Sequence, residues 1–271
     1  MVIIRMADGF GNQLFRYAFA YAIAQQKKER LGIDVGDFTS DTYRSYQLDS
    51  LNIAPYRKLC FPNKTLIGKA LRRIHRKLAY HCVCEDLKDM ESVVSDALYK
   101  PRIRDTYLMG YFFDCRYFLM YEEELRRQFL PKSALSDETQ TFIQKYSSTE
   151  TCALHIRLGD IHFDDITYLR NAITRMKELK PNVSFVLYSN EVGEAKELLK
   201  NILTDYELMD ENSGLTDLEA FYTLSACRNQ ILTIGTYGMW AALLNKNSDK
   251  TVIVPAYEGE KSNVPEDWIL L

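Results

Sequence analysis

From residue 152 to residue 254 the sequence alternates strand-like and helix-like segments without a break, and no other feature constrains the fold as tightly. Cys152–Arg157, Val183–Ser189, Tyr206–Met209, Gln230–Ile234 and Thr251–Val254 are short runs of β-branched, aromatic and aliphatic residues. Between them, Thr167–Leu179, Glu191–Asn201, Asp217–Cys227 and Gly238–Asn245 carry apolar residues at helical spacing. Consecutive parallel strands need a helical crossover. The pattern therefore predicts an α/β fold with a parallel, doubly wound sheet covered by helices on both faces.

The chain opens with the same device. Val2–Met6 reads as a buried strand and Ala7–Gly11 as a glycine-containing turn. Asn12 is suited to cap a helix running to Lys28, and Leu31–Val35 reads as the next strand. This β-α-β unit seeds a second parallel sheet. The polar stretch from Pro131 to Thr151 separates the halves, so the expected domains are 1–140 and 141–271, with the last residues packing back on the first domain. Between them, Tyr107–Phe118 is aromatic and Gly68–Tyr80 reads as a basic helix with Lys69, Arg72, Arg73, Arg76 and Lys77. The plain reading of that helix is a solvated charged face; the sharper one is peripheral contact with an anionic membrane that presents a lipid-linked oligosaccharide.

Composition excludes several classes. A net charge of −3 over 271 residues offers nucleic acid no electrostatic footprint. No segment approaches the roughly 18 apolar residues of a membrane span, and the apolar run at the N-terminus is too short for a signal peptide. The expected location is cytoplasmic, at most peripheral to a membrane. Six scattered cysteines fit reduced thiols. The spacing of His75, His81, Cys82 and Cys84 matches no zinc pattern.

In open α/β sheets ligands bind beyond the carboxyl ends of the strands. The polar residues predicted there in the second half are His155, Arg157, Gly159 and Asp160, then Ser189 and Asn190, then Asp210 and Asp217, then Thr236, Tyr237 and Gly238. His155 and Arg157 lie two apart on an otherwise apolar strand, so they share a face and require a partner, either Asp160 or an anionic ligand. Ile234–Gly238 leads a strand into a helix, a turn whose backbone N–H groups suit a phosphate. Together with Arg157 this forms a candidate diphosphate clamp. The sequence carries no phosphate-binding P-loop, no full dinucleotide fingerprint and no Asp-x-Asp metal motif, so the expected site uses no metal and no cofactor.

These residues also carry a resemblance. His155-Ile156-Arg157-Leu158-Gly159-Asp160 resembles the H-x-R-R-G-D of the α-1,2-fucosyltransferases, glycosyltransferase family 11, with Leu158 in place of the second arginine. Gly9-Phe10-Gly11-Asn12-Gln13-Leu14 resembles the family's G-x-G-N-Q-[LM]. Gly110-Tyr111-Phe112 with Tyr117-Phe118 resembles its G-Y-F-Q-S-x-x-Y-F, Phe113 and Asp114 standing in place of Gln and Ser. Phe185–Asn190, Asp217–Leu243 and Pro265–Trp268 follow in the family's order.

The resemblance implies a GT-B fold of two facing Rossmann-like domains, the first largely shaping the acceptor site and the second binding GDP-fucose. It implies inverting transfer of L-fucose from GDP-β-L-fucose to O2 of a terminal galactose on a glycan. Arg157 would contact the β-phosphate, His155 the nucleoside or phosphate, and Asp217 the guanine edge. Ser189, Asn190, Thr236, Tyr237 and Gly238 would meet the ribose and diphosphate, with Asp160 nearby. Asn12 and Gln13 would face the fucose or acceptor. Four residues remain open as general base: Asp8, Asp114, Asp160 and His162. The rivals are a fucosyltransferase of other regiochemistry or acceptor, a nucleotide-sugar-binding module without catalysis, and an NAD-dependent oxidoreductase resting on Gly9-x-Gly11 alone.

Overall fold

The computed structural model describes residues 1–61, 70, 73–74, 78–85, 89–99, 104–159, 163–209, 213–256 and 263–271. The chain divides into two compact units, Met1–Ser133 and Ala134–Leu271. Of the basic stretch, Lys69, Arg72, Arg76 and Lys77 lie outside the described residues, as does Asp210; Arg73 is described and exposed.

In the first unit, β1 (Val2–Arg5), β2 (Leu31–Asp34), β3 (Tyr56–Leu59), β4 (Tyr80–Cys84) and β5 (Asp105–Met109) form one sheet in the order β3-β2-β1-β5-β4. Every pairing is parallel. Helix α1 (Phe10–Lys27) follows β1, and α2 (Met90–Leu98) and α3 (Glu122–Gln128) follow later. The helix α1 begins at Phe10, with Gly9 rather than Asn12 at the cap position, because the Phe10 ring is itself buried and draws the first turn into the core. Buried residues occur all around α1, polar ones included. Lys27 is accommodated because its ammonium donates to the carbonyls of Ala97 and Tyr99 and to Thr106 Oγ1 at 3.1, 2.7 and 2.7 Å.

The second unit opens with α4 (Asp137–Ser148), so the expected boundary at residue 140 falls inside this helix. There follow β6 (Thr151–Ile156), α5 (Ile166–Leu179), β7 (Ser184–Ser189), α6 (Val192–Leu199), β8 (Glu207–Met209), α7 (Asp217–Ala226), β9 (Asn229–Leu232), α8 (Thr236–Leu244), β10 (Val252–Val254) and β11 (Ile269–Leu270). The sheet order is β8-β7-β6-β9-β10-β11, all parallel. This is the six-strand dinucleotide-fold order, and the chain reverses direction between β6 and β9. The last residues add β11 to this sheet, paired parallel to β10.

Local chemistry sets the register of the helices. Asp165 caps α5 by accepting from Tyr168 N at 2.8 Å, and the Tyr168 hydroxyl donates to Leu232 O at 2.6 Å beside the end of β9. Thr216 and Glu219 form a reciprocal capping box on α7. The core gathers Leu154, Ile156, Leu169, Ile173, Leu187, Ile231 and Ile253 around the sheet. Among the described residues, no helix is long and apolar enough to cross a membrane.

Candidate functional site

The reversal between β6 and β9 marks the position where open sheets of this kind carry a ligand crevice, and the described second-half candidates lie at the ends of β6 and β7 or in the first turns of α7 and α8. His155 is the penultimate residue of β6, 7% exposed, and its ring stacks on Tyr237 at 5.8 Å. Arg157 follows the strand. Its backbone N–H donates to Thr233 Oγ1 at 2.8 Å, while Thr233 N donates to His155 O at 3.0 Å, locking the ends of β6 and β9 together.

Leu158 turns inward instead. It is buried in the core beside Phe163 and Leu169, and burying a leucine contributes roughly 1.5–3 kcal/mol. At this bend the departure from the second arginine thus serves packing, and Arg157 is the residue that stays partly exposed.

Gly235 precedes α8 with φ of 123°, a backbone conformation that suits glycine, and its α-carbon faces the Arg157 side chain: a Cβ there would lie 3.6 Å from Arg157 Cγ. A guanidinium-bearing side chain therefore runs alongside the N-terminus of a nine-residue helix, whose first N–H groups carry partial positive charge. Thr236 is the first residue of that helix and Tyr237 the second; the Tyr237 hydroxyl donates to Asp217 O at 2.6 Å, and its ring meets Phe221 at 5.1 Å. Such an arrangement can hold an anion, with backbone donors on one side and a cation on the other.

Asn190 braces the opposite lip. Its side chain accepts from Leu158 N at 2.9 Å and donates to Leu158 O at 2.7 Å, and Gly159 turns above it with φ of 84°. Ser189 Oγ accepts from Glu191 N at 3.1 Å. Asn190 thus shapes the β6 loop with both ends of its amide. Asp217 is exposed at the start of α7. Asp160 and His162 lie outside the described residues.

Burial, reinforced by the nearby Arg157 charge, pushes the His155 imidazole down to about 4. An unfolded histidine protonates near 6.5, so between those values the unfolded chain binds more protons. Stability attached to His155 is complete above pH 6.5 and is lost as pH falls through 4, by roughly 3 kcal/mol in all. Urea midpoints at pH 7 and pH 5 are expected to differ less in His155→Asn than in the parent. Parallel pH profiles would place the acid sensitivity elsewhere.

The first-half candidates divide differently. Gln13, expected at the acceptor cleft, is fully buried: its amide donates to Asp8 O and Ser45 O and accepts from Gln47 N, each at 2.9 Å. It ties the loop after β1 to the Ser45–Gln47 segment. Asn12 is partly exposed in the first turn of α1. Both carboxylate oxygens of Asp114 are held by the Arg116 guanidinium, and the side chain also caps the short helix Cys115–Tyr117. Asp114 thus spends its carboxylate on the Arg116 pair and the helix cap. Asp8 has φ of 66° and gives one oxygen to Arg16 at 2.7 Å. His81 pairs with Asp96 at 3.0 Å, and no group of three His, Cys, Asp or Glu side chains suited to a metal occurs among the described residues.

Residues that sequence reasoning passed over are Thr233, which ties Arg157 to β9, and Arg16, which is buried beneath the loops of the first unit. Thr233 carried no signal beyond its place at a strand end. The signal at Arg16 was a cation set among the apolar residues of a helix.

The family model for glycosyl transferase family 11 matches residues 1–270. An Escherichia coli α-1,2-colitosyltransferase is 26% identical, the alignment covering 99% of this chain and 98% of that protein. The galactoside α-(1,2)-fucosyltransferase 1 of Pan troglodytes is also 26% identical, over 87% of this chain and 63% of its own length. The Bradyrhizobium fucosyltransferase NodZ, in a crystal structure of this α-1,6-fucosyltransferase soaked with GDP-fucose, shares the fold with a TM-score of 0.51 at 19% identity, covering 89% of this chain and 91% of that one. Two Rossmann-like units with parallel sheets are the GT-B class expected from the sequence, and with a family match along almost its entire length the chain belongs to glycosyl transferase family 11.

Proposed function

We propose that this enzyme transfers L-fucose from GDP-β-L-fucose to O2 of a terminal galactose on a glycan, with inversion and without a metal ion. In this reading the second unit binds the donor and the first carries the acceptor. The observation that carries it is the Arg157 side chain lying along the Gly235 turn at the head of α8, with His155 packed beneath. A diphosphate held there meets backbone donors and a guanidinium at once, and these same groups stabilise the charge that grows on departing GDP. Family membership and the α-1,2 transferases among the relatives support the reaction class and the linkage.

Incubation with radiolabelled GDP-fucose and lactose, followed by linkage analysis, tests the reading. A 2-linked α-fucoside is the expected product. A different linkage transfers the proposal to another regiochemistry, and retained nucleotide without turnover reduces the protein to a binding module. A second reading, colitose as the donor sugar, is favoured by the α-1,2-colitosyltransferase relative. Competition between the GDP-linked forms of the two sugars separates them.

A further inference from the structure

The sheet of the first unit has its own reversal point, between β1 and β5, and the loops that follow those two strands are held in costly conformations. Among the described residues, three other than glycine have positive φ: Lys28 is a helix C-cap, while Asp8 (66°) and Phe112 (57°) sit in these two loops. A left-handed conformation in a bulky aromatic residue persists only where neighbours enforce it, and such strain gathers at ligand sites. Two groups enforce it here. Arg16 donates to Ala7 O at 2.5 Å, Asp8 Oδ2 at 2.7 Å and Gly110 O at 2.8 Å, stitching one loop to the other. Glu85 accepts from both Tyr111 N and Phe112 N at 2.7 Å.

These restraints hold an aromatic surface in the open. Tyr111 is 46% exposed, with the Arg16 guanidinium 4.8 Å from its ring centre and Phe113 4.9 Å away. Phe113 in turn leans edge-on against the buried Phe15 at 5.4 Å, so the pair of rings is anchored in the core. The Asp8 carboxylate, 43% exposed, is bound to that same guanidinium. The exposed ring thus stands beside a carboxylate whose orientation is fixed.

We infer that Tyr111 and Phe113 form a stacking platform for an acceptor sugar and that Asp8 accepts a hydrogen bond from one of its hydroxyls. The ring faces are electron-rich and meet polarised C–H bonds. A pyranose whose C3, C4 and C5 hydrogens share one side, as in galactose, offers such a face, whereas glucose does not. Arg16 is a positioning residue for both contacts.

This inference rests on the transferase reading above, and its test separates the two. In saturation-transfer NMR on the full chain, methyl β-galactoside is expected to receive saturation most strongly at H3, H4 and H5, and methyl β-glucoside much less. Tyr111→Leu keeps the apolar bulk but loses the ring; it is expected to abolish that pattern and raise the KM for lactose about five- to tenfold, with the KM for GDP-fucose unchanged. Tyr111→Phe is expected to behave like the parent, and Asp8→Asn to raise the KM for lactose alone. Saturation transfer in a protein that transfers no fucose leaves the subsite standing and removes the reaction. Fucose transfer with an unaltered lactose KM in Tyr111→Leu, or no selective saturation in the parent, overturns the subsite.

Discussion

Arg157→Lys is expected to lower the turnover of GDP-fucose by about a hundredfold or more, measured as initial rate at saturating donor, with the fold intact. The expectation follows from geometry as well as charge. Thr233 fixes the backbone of Arg157, and Gly235 leaves its side chain a track along the head of α8. Lysine keeps the positive charge but presents a single ammonium where arginine presents a planar fork that can grip two phosphate oxygens. Leu158 sharpens the effect: it is committed to the core, so the position next to Arg157 supplies no second guanidinium to take over. Turnover near that of the parent would remove Arg157 from the donor site.

Gly238→Ala is expected to be nearly as damaging by another route. A Cβ there would stand 2.7 Å from His155 Nδ1 and 3.2 Å from Leu232 Cδ2. The imidazole has no room to yield, since it is buried and stacked on Tyr237. Overpacking of this kind costs about 1–3 kcal/mol, and relief by tilting α8 moves the helix head away from Arg157. A lower urea midpoint and a raised KM for GDP-fucose should therefore appear together. Gly193→Ala is the control: it sits in α6 with nothing within 4 Å of the added carbon, and alanine favours helix. Loss of stability at Gly193 but not at Gly238 would contradict the packing argument.

The second half of the molecule was legible because buried parallel strands are written as continuous apolar runs, and each run is followed by a helix of visible period. That alone placed His155, Arg157 and the Thr236–Gly238 turn at one crevice. What remained hidden depended on where side chains point. The strand alternation put His155 and Arg157 on a shared face, yet β6 ends at Ile156, and Arg157 is held by the bend rather than by the pleat. Gln13 reads as a functional residue in a motif, but its amide finds three backbone partners that no spacing rule foretells. Asp114 carries the same lesson, since its ion pair with Arg116 is formed only by the short helix turn. The β1–β5 loops were opaque for a related reason: strain at Asp8 and Phe112 is imposed by Arg16 and Glu85, which are distant in sequence.

The exclusively parallel pairing in both sheets has a consequence for how quickly the chain can reach this state. No two neighbouring strands are joined by a hairpin, so no ladder can close before an intervening crossover has found its place. The Met1 ammonium meets Asp105 across 104 positions, and β1 sits between a partner close in sequence and one far away. The entropy of closing such long loops must be met before the contacts return any stability, which puts folding on the slow side for a chain of this size. During that interval the apolar strands that later hold the crevice are open to pairing with other chains. Yield on expression is thus governed by a competition between rates, in which chain concentration counts as much as the stability finally attained.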